Sequence, residues 1–245
     1  MFSVVVVYNE AQTLNTCLLP SLKRQTVDYE YIPVDNTKGQ FKSAAEALNY
    51  GGMQAKGKYI LFIHQDVELA SKSWLEDTER ILDILPKLGI AGSIGMIPEG
   101  KNFADHIVGY VSGNIGQIHG KPFDKPYEVQ TLDELLLIVP QEVFCKFQFD
   151  ANLFDNWHTY GCDLCLTLQE NGFKVYVIPS YVCHHHKVTS DAAKTLLYKY
   201  QKRLYNKHKE YFGRIYTTCG ITPRIGFMLS SIIDILVRKV RMARV

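Results

Sequence analysis

The sequence lacks the signatures that would assign several common classes of protein. Its 27 Lys and Arg residues nearly balance 25 Asp and Glu residues, and 47% of its residues are apolar, which is ordinary for a soluble globular protein. No GxGxxG motif follows the first strand-like segment and no GxxxxGK[ST] motif occurs, which argues against a nicotinamide dehydrogenase and a P-loop NTPase. GxSxG is also absent, which argues against a serine hydrolase with a nucleophile elbow.

An export signal and long apolar runs are absent as well. Met1 and Phe2 lead straight into a strand-like segment, so we expect no secretory leader, a cytoplasmic location and cysteines that stay reduced. The longest apolar run near the end, residues 225–237, is interrupted by Ser230, Ser231 and Asp234. It is too short and too polar to span a bilayer.

Charge is distributed unevenly along the chain. Residues 1–186 carry 14 basic and 22 acidic side chains, whereas residues 187–245 carry 13 basic and 3 acidic ones. We therefore expect residues 187–245 to form amphipathic basic helices that contact an anionic membrane peripherally, at its inner face. Helices that are merely solvated would have the same pattern. We expect no nucleic-acid partner.

Strand-like and helix-like segments alternate in the first half of the chain. The predicted strands there are 3–8, 29–34, 59–63 and 90–97, with helices between them. This order predicts an α/β fold with a mostly parallel, Rossmann-like sheet flanked by helices. The second half is less regular: residues 103–127 indicate an irregular excursion, and strands are predicted within 129–139 and 175–179.

Polar residues follow three of the predicted strands, at the points where the strands end. They are the segments 8–10, 35–36 and 64–66. Because ligands of such sheets bind beyond the carboxyl ends of the strands, we expect these residues along one ligand-binding edge. Asp66 could hold a divalent cation, and His64 lies on the same side of an extended segment. Asp66 could equally cap the turn or helix that follows.

Cysteine and histidine residues in the second half allow another interpretation. Cys162 and Cys165 form a CxxC motif, and Cys183 precedes three histidines at 184–186, so a structural zinc site is one alternative. Leu164 and Leu166 interleave with this motif, which favours buried core cysteines instead. Asp163 lies at a predicted helix N-terminus, where it could be a general base or only a helix cap.

Four stretches of the chain together resemble glycosyltransferase family 2. SVVVVYNE at 3–10 resembles the opening strand, and YIPVDN at 31–36 resembles the second strand with its nucleotide-binding Asp. ALNYG at 47–51 and AKGKYILF at 55–62 resemble the approach to the DxD motif. The stretch 149–175, with YGCDLCL inside it, resembles the acceptor-side segment. The resemblance covers roughly residues 3–186.

The resemblance implies a GT-A fold followed by a C-terminal basic helical extension. We expect a glycosyltransferase domain over 1–186, with a nucleotide-sugar half at 1–98 and an acceptor half at 99–186, and amphipathic basic helices over 187–245. The implied activity is a metal-dependent, inverting hexosyl or deoxyhexosyl transfer to a hydroxyl of a glycan or lipid-linked acceptor, in cell-envelope polysaccharide synthesis. The implied donor is a UDP- or dTDP-sugar, with Mn²⁺ or Mg²⁺ as cofactor.

The resemblance also assigns roles to individual residues, with Asp163 as the catalytic base. The donor and nucleotide would be bound by Tyr8, Glu10, Asp35, Asn36, Lys42, Asn49 and Gln65. The acceptor would contact Asp133, Trp157, His158 and Tyr160. The metal would be held by Asp66, His64, His184 and His186.

Two departures from the family pattern leave a second function open. His64-Gln65-Asp66 replaces the usual acidic triplet, and Cys162 replaces the Glu before the catalytic Asp. The HQD triplet is similar to that of a subgroup of the family. Because one acid of the triplet is lost, a catalytically silent nucleotide-sugar binding or scaffold protein of the same fold is the alternative.

Overall fold

The computed structural model describes residues 1–113, 118–120, 122–185 and 191–223. It contains seven α-helices in this part of the chain: α1 Ala11–Thr16, α2 Leu18–Lys23, α3 Ala44–Gly52, α4 Trp74–Asp83, α5 Gln141–Phe144, α6 Tyr160–Glu170 and α7 Asp191–His208. A single turn of 3₁₀ helix covers Phe103–His106. Ser43 caps α3, because its hydroxyl accepts a hydrogen bond from the Glu46 N–H at 3.2 Å.

A seven-stranded sheet forms the centre of the molecule. Its strands, in spatial order, are β2 Tyr29–Asp35, β1 Phe2–Tyr8, β3 Tyr59–Ile63, β11 Leu136–Pro140, β5 Leu88–Gly92, β12 Lys174–Val177 and β9 Tyr127–Glu128. Strand β1 runs parallel to both β2 and β3. The carboxyl ends of these three strands therefore share one edge, as the sequence predicts.

A second, smaller sheet contains six strands. It contains β10 Thr131–Leu132, β6 Ile94–Met96, β7 Ile107–Gly113, β13 Val182–His184 and β4 Val67–Leu69 in that order, with β8 Ile118–Gly120 paired to β7. Strands β14 Ile215–Thr217 and β15 Gly220–Thr222 form a separate hairpin.

The apolar core lies on both faces of the central sheet. Strand β3 is buried along its whole length, which explains its uninterrupted apolar sequence. On one face Phe62 packs against Phe144 and Phe149, with ring centroids 5.1 Å apart in both pairs. Tyr200 and Leu204 of α7 belong to the core on this face. At least the first helix after residue 186 is therefore packed against the body of the protein.

The expectation of a mostly parallel sheet is wrong. Strand β11 lies between β3 and β5 and is antiparallel to both, and β9 is antiparallel to β12, so the sheet is mixed. The predicted strand at 90–97 is two strands that belong to different sheets, β5 and β6. The stretch 103–127, predicted to be irregular, contains strand β7. The strand was missed because Gly109, Ser112 and Gly113 interrupt its apolar residues.

Some expectations concern residues outside the described part of the chain. These are the last helix predicted within the basic segment, over 223–245, of which the structure describes only Pro223, and the proposed metal ligand His186. Among the residues that the structure covers, no helix combines the length and the apolar character needed to cross a membrane.

Candidate active site

A cavity of about 300 Å³ opens at the carboxyl ends of β1 and β3. Its lining joins polar residues from three distant parts of the sequence with apolar residues of the core. The lining residues are Val7, Asn9, Ala44, Leu48, Phe62, Ile63, His64, Gln65, Asp66, Glu134, Leu137, Trp157 and Tyr160. A concave site at this edge of an α/β sheet is where ligands are expected.

Three side chains with metal-ligating atoms converge at this cavity. His64, Asp66 and His184 each offer one ligand atom, and these atoms lie within 4.8 Å of one another. His64 and Asp66 follow the end of β3, while β13 pairs antiparallel with β4 and places His184 opposite Val67. Strand pairing in the smaller sheet thus brings His184 to within 3.4 Å of Asp66, measured from Nε2 to Oδ1.

The protonation states of this group suit a divalent cation. Burial lowers the pKa of His64, which favours the neutral imidazole that a metal needs. Burial alone would raise the pKa of Asp66, but a hydrogen bond and charge from His184, together with His64, hold it below its usual value. Two imidazoles and one carboxylate are a donor set that fits a divalent transition metal.

Gln65 organises the loop after β1. Its Oε1 accepts hydrogen bonds from the backbone N–H groups of Asn9 and Glu10, both at 3.1 Å, and its Nε2 donates to Asn9 Oδ1 at 2.6 Å. Gln65 and Asn9 both line the cavity. Gln65 therefore joins the ends of β1 and β3 into one polar wall.

Tyr8 and Asp35 are neighbours across the strand pair β1–β2. Burial and a hydrogen bond to Asp35 raise the pKa of Tyr8. The Asp35 carboxylate is exposed and accepts the backbone N–H of Thr37 at 2.8 Å. Neither side chain lines the cavity itself. Both lie beside it, at the carboxyl ends of β1 and β2.

The remaining residues predicted on the donor side have mainly structural contacts. Asn36 exchanges hydrogen bonds with the backbone of Phe41. Asn49 does the same with the backbone of Phe149 and so ties α3 to the second half of the chain. Lys42 is exposed, and Glu10 accepts a hydrogen bond from the Thr13 hydroxyl at 2.6 Å. None of these four lines the cavity.

The predicted acceptor residues divide into two groups. Trp157, with 41% of its surface exposed, and buried Tyr160 both line the cavity. His158 and Asp133 do not line it. Asp133 is used by the local structure, because its carboxylate accepts hydrogen bonds from the Leu135 N–H at 3.1 Å and from the Thr218 hydroxyl at 2.6 Å.

Asp163, the predicted base, is turned toward α7 and is not part of the cavity lining. Its side chain is almost fully buried and contacts Lys207 Nζ and His208 Nε2, both at 2.8 Å. The assignment of Asp163 as the base therefore stays a prediction, and these contacts argue for a structural role.

Glu134 is the cavity residue that sequence reasoning missed. It is half-buried, and its two carboxylate oxygens accept the backbone N–H groups of Gly161 at 2.7 Å and Thr159 at 3.1 Å. Burial raises its pKa to about 8. The sequence signal was an acid directly before the apolar run of β11, but its neighbour Asp133 carried the same signal.

The cysteines do not form the zinc site considered above. Cys162 and Cys165 are buried, and burial raises the pKa of both thiols, which opposes the thiolate that zinc needs. In the described residues, the group of His64, Asp66 and His184 is the sole convergence of three metal-ligating side chains, and it contains no cysteine.

Comparison with known sequences identifies relatives of the whole domain. A family model described as a glycosyltransferase-like family matches residues 3–211. A curated protein of Fuscovulum blasticum named ATP synthase subunits region ORF 6 is 26% identical over 194 residues, which cover 76% of this chain and 74% of that protein.

Solved structures share the fold at low sequence identity. The mannosyltransferase PcManGT from Pyrobaculum calidifontis, solved with GDP-Man and Mn²⁺, matches with a TM-score of 0.60 and 13% identity over 86% of this chain and 64% of its own. S. aureus TarS 1-349, solved with UDP-GlcNAc, matches with a TM-score of 0.57 and 15% identity over 84% of this chain and 66% of its own. The chain thus spans less than two thirds of each solved structure, and the likeness supports a fold of GT-A type.

Proposed function

This chain belongs to the glycosyltransferase-like family whose model matches residues 3–211, and on that premise we propose that it is an inverting, metal-dependent glycosyltransferase. It would move a sugar from a nucleoside-diphosphate sugar to a hydroxyl of a glycan or lipid-linked acceptor. The observation that carries this proposal is the convergence of His64, Asp66 and His184 at a cavity beyond the carboxyl ends of β1 and β3.

The donor would lie along the edge formed by β2, β1 and β3. Tyr8 offers a ring for stacking on the base, and the exposed carboxylate of Asp35 can accept hydrogen bonds from its edge. The diphosphate would then extend toward Asp66. We propose a UDP- or dTDP-sugar as donor; the solved structures of the same fold contain GDP-Man in one case and UDP-GlcNAc in another.

His64, Asp66 and His184 would hold the divalent cation. Such a cation supplies charge stabilisation to a departing diphosphate. Two histidines among three ligands suit a first-row transition metal better than Mg²⁺, so of the two cofactors expected from the sequence, Mn²⁺ fits this group better. The HQD triplet would therefore replace a second carboxylate with a nitrogen ligand while retaining metal binding.

The acceptor would enter beside Trp157 and Tyr160. Trp157 has its ring partly exposed at the cavity, and an aromatic ring can pack against the apolar face of a sugar while its N–H stays wet. Inversion needs the acceptor oxygen to approach the anomeric carbon from the face opposite the diphosphate. A general base must then take the proton of that hydroxyl.

A ligand screen tests the proposal. The intact protein is heated with UDP, dTDP or GDP, each with and without Mn²⁺, and release of nucleoside diphosphate from the matching sugar nucleotides is measured. We expect one nucleotide to raise the melting temperature only with Mn²⁺, and its sugar form to be hydrolysed slowly. Binding without hydrolysis would indicate the silent binder, and no stabilisation by any nucleotide would reject both functions.

We also propose that residues 187–245 hold the protein at the inner face of an anionic membrane. Their 13 basic and 3 acidic side chains support this location, because each basic group near an anionic surface contributes about 1 kcal/mol. Sedimentation with anionic but not neutral vesicles is the expected result. Equal sedimentation with both kinds of vesicle would reject it.

A further inference from the structure

We propose that Glu134, and not Asp163, accepts the proton of the acceptor hydroxyl. This inference rests on the proposed transfer reaction and names the residue that serves as its base. In the step, the acceptor oxygen forms the new bond to the anomeric carbon and the bond from that carbon to the diphosphate breaks. The hydroxyl proton passes to a carboxylate oxygen of Glu134, and the diphosphate departs with the electron pair.

The first argument is position. Glu134 lines the same cavity as Asp66 and Tyr160, whereas Asp163 does not line it. Glu134 directly precedes Leu135, whose carbonyl accepts the His64 N–H at 3.0 Å, so the backbone around it is joined to the metal-binding loop. The carboxylate therefore faces the space in which the donor and acceptor would meet.

The second argument is the set of partners that the carboxylate has. Gly161 and Thr159 each donate a backbone N–H to one oxygen of Glu134, and the N–H of Cys162 also interacts with it. An ionised carboxylate has about four acceptor positions. These N–H groups hold the carboxylate in place at the start of α6. They leave acceptor capacity on the carboxylate for the hydroxyl of a substrate.

The third argument is the glycine at position 161. A Cβ atom on Gly161 would lie 2.9 Å from Glu134 Cγ and 2.8 Å from Leu137 Cδ1, which is closer than carbon atoms can approach without displacement. Gly161 lies inside α6 with ordinary helical geometry, so its backbone does not need a glycine. The glycine instead leaves the space that the side chain of Glu134 fills.

The chemistry of Glu134 agrees with this placement. Burial raises its pKa to about 8, and a base is most effective when its proton affinity lies near the working pH. Asp163, in contrast, already contacts two basic side chains. Both of its oxygens are used within the fold, at 2.9 Å from Lys207 and 2.8 Å from His208.

The test compares two variants with the intact protein, and it measures release of nucleoside diphosphate by hydrolysis, so that no acceptor other than water need be known. Glu134→Gln should lose about 10²–10⁴-fold in turnover while it binds nucleotide and Mn²⁺ as before. Glu142→Gln, a change at an exposed acid on α5, is the matched control and should retain turnover. Full turnover in Glu134→Gln would overturn the proposal, as would a loss of nucleotide binding equal to the loss of turnover.

Moving the carboxylate from position 134 to position 161 distinguishes a chemical role of the acid from a purely structural one. Because a side chain at 161 points at the position of Glu134, the double variant Glu134→Ala with Gly161→Asp returns an acid to the same cavity. It should recover about tenfold or more of the turnover lost in Glu134→Ala alone. No recovery in a folded double variant would contradict a base at this place.

Failure of the base assignment can be distinguished from failure of the proposed function. If the intact protein hydrolyses a sugar nucleotide and Asp163→Asn abolishes that activity while Glu134→Gln does not, the transferase stands and Glu134 is wrong. If the intact protein binds nucleotide but releases no diphosphate, both the transfer reaction and its base are rejected.

Discussion

Two clusters of ionisable side chains meet helix α6, and their partners differ. The cavity cluster, open to the candidate site, consists of His64, Asp66, Glu134 and His184. The helix cluster, which joins α6 to α7, consists of Asp150, Asp163, Glu170, Lys207 and His208. In the helix cluster every acid has a basic partner within 3.0 Å. In the cavity cluster, Glu134 has only backbone N–H partners among its hydrogen bonds.

This difference teaches that partners, rather than residue type, indicate the role of an acid. A buried carboxylate whose oxygens are taken by cations has little capacity left for a substrate, and the fold depends on those cations because removing one leaves a buried charge uncompensated. A carboxylate that is held only by backbone N–H groups and opens on a cavity keeps that capacity. The predictions below perturb the two clusters and their surroundings, from the largest expected effect to the smallest.

The largest effect is expected at the metal position of the cavity cluster. Asp66→Ala should reduce Mn²⁺-dependent turnover about a thousandfold, because metal stabilisation of the transition state contributes several kcal/mol and about 1.4 kcal/mol corresponds to a factor of ten. Turnover is compared with and without EDTA, and the variant should no longer respond to the chelator.

The matched control for Asp66 lies two residues further along. Glu68, in β4, pairs with Arg24 and His185 at 3.1 and 3.3 Å and is outside the metal-ligating group. Glu68→Ala should therefore keep its turnover and its response to EDTA. Asp66→Ala with full activity, or an intact protein that EDTA leaves unchanged, would show that the cavity cluster holds no functional metal.

The helix cluster should affect stability and not turnover. His208 is fully buried, and its ring nitrogens lie 2.8 Å from Asp163 and 2.7 Å from Glu170. His208→Ala removes a partner from buried Asp163 and should lower the free energy of unfolding by about 3 kcal/mol. A urea titration measures this change as a lower midpoint with an unchanged slope.

Two further measurements make the helix-cluster prediction specific. Lys209→Ala, at the exposed next position, should leave the midpoint almost unchanged. Diphosphate release by the folded fraction of His208→Ala should equal that of the intact protein. A variant of normal stability but greatly reduced turnover would place the helix cluster in the chemistry and restore Asp163 as the candidate base.

The fold was predictable where the sequence signal is local. The run from Ser3 to Tyr8 indicates a buried strand by itself, and the polar residues at 35–36 and 64–66 indicate the ends of the next strands, as the structure confirms. The position of β11 was not predictable in this way. Its antiparallel place between β3 and β5 depends on pairing with residues more than 40 positions away, which no local pattern encodes.

The same limit applies to the candidate site. His64 and Asp66 were found because they follow one strand, and His184 was found through the resemblance. Glu134 was missed because its place at the cavity, and with it the role proposed for it, depends on Gly161, 27 residues later, which leaves space for its side chain. Besides the acid before β11, a second signal was available in the glycine inside α6, since glycine is unfavourable in a helix and calls for a steric reason.

A smaller effect, on nucleotide affinity, is expected at Asp35, which lies beside the cavity cluster. Asp35→Ala should weaken nucleoside diphosphate binding about tenfold, because it removes a charged hydrogen-bond acceptor from the edge where the base would lie. Calorimetry in the presence of Mn²⁺ measures the affinity, and Asp28→Ala, an exposed acid before β2, is the control. Equal affinities for both variants would remove Asp35 from the site.

The smallest effect is the pH dependence of turnover between pH 7 and 8. Burial raises the pKa of Glu134 from its ordinary 4.5 to about 8; the N–H groups of Gly161, Thr159 and Cys162 oppose the rise, and Asp133 adds to it. A base acts in its ionised form, so turnover should increase with pH and level off above about 8. The ionised fraction, and with it turnover, should rise about fivefold over this interval.

Stability should change with the opposite sign over the same range. Folded Glu134 keeps its proton up to about pH 8, whereas an unfolded chain releases it near 4.5, so the unfolded state binds fewer protons between these values and stability falls as pH rises. Tyr160, whose pKa burial raises well above its usual value, stays neutral there and adds no slope. Glu134→Gln should remove the contribution of residue 134 to the pH dependence of turnover and to that of stability. If turnover and stability instead rose together with pH in the intact protein, the titrating group would be one other than Glu134. The cavity cluster would then lack an acid without a basic partner, which is the feature that distinguishes it from the helix cluster.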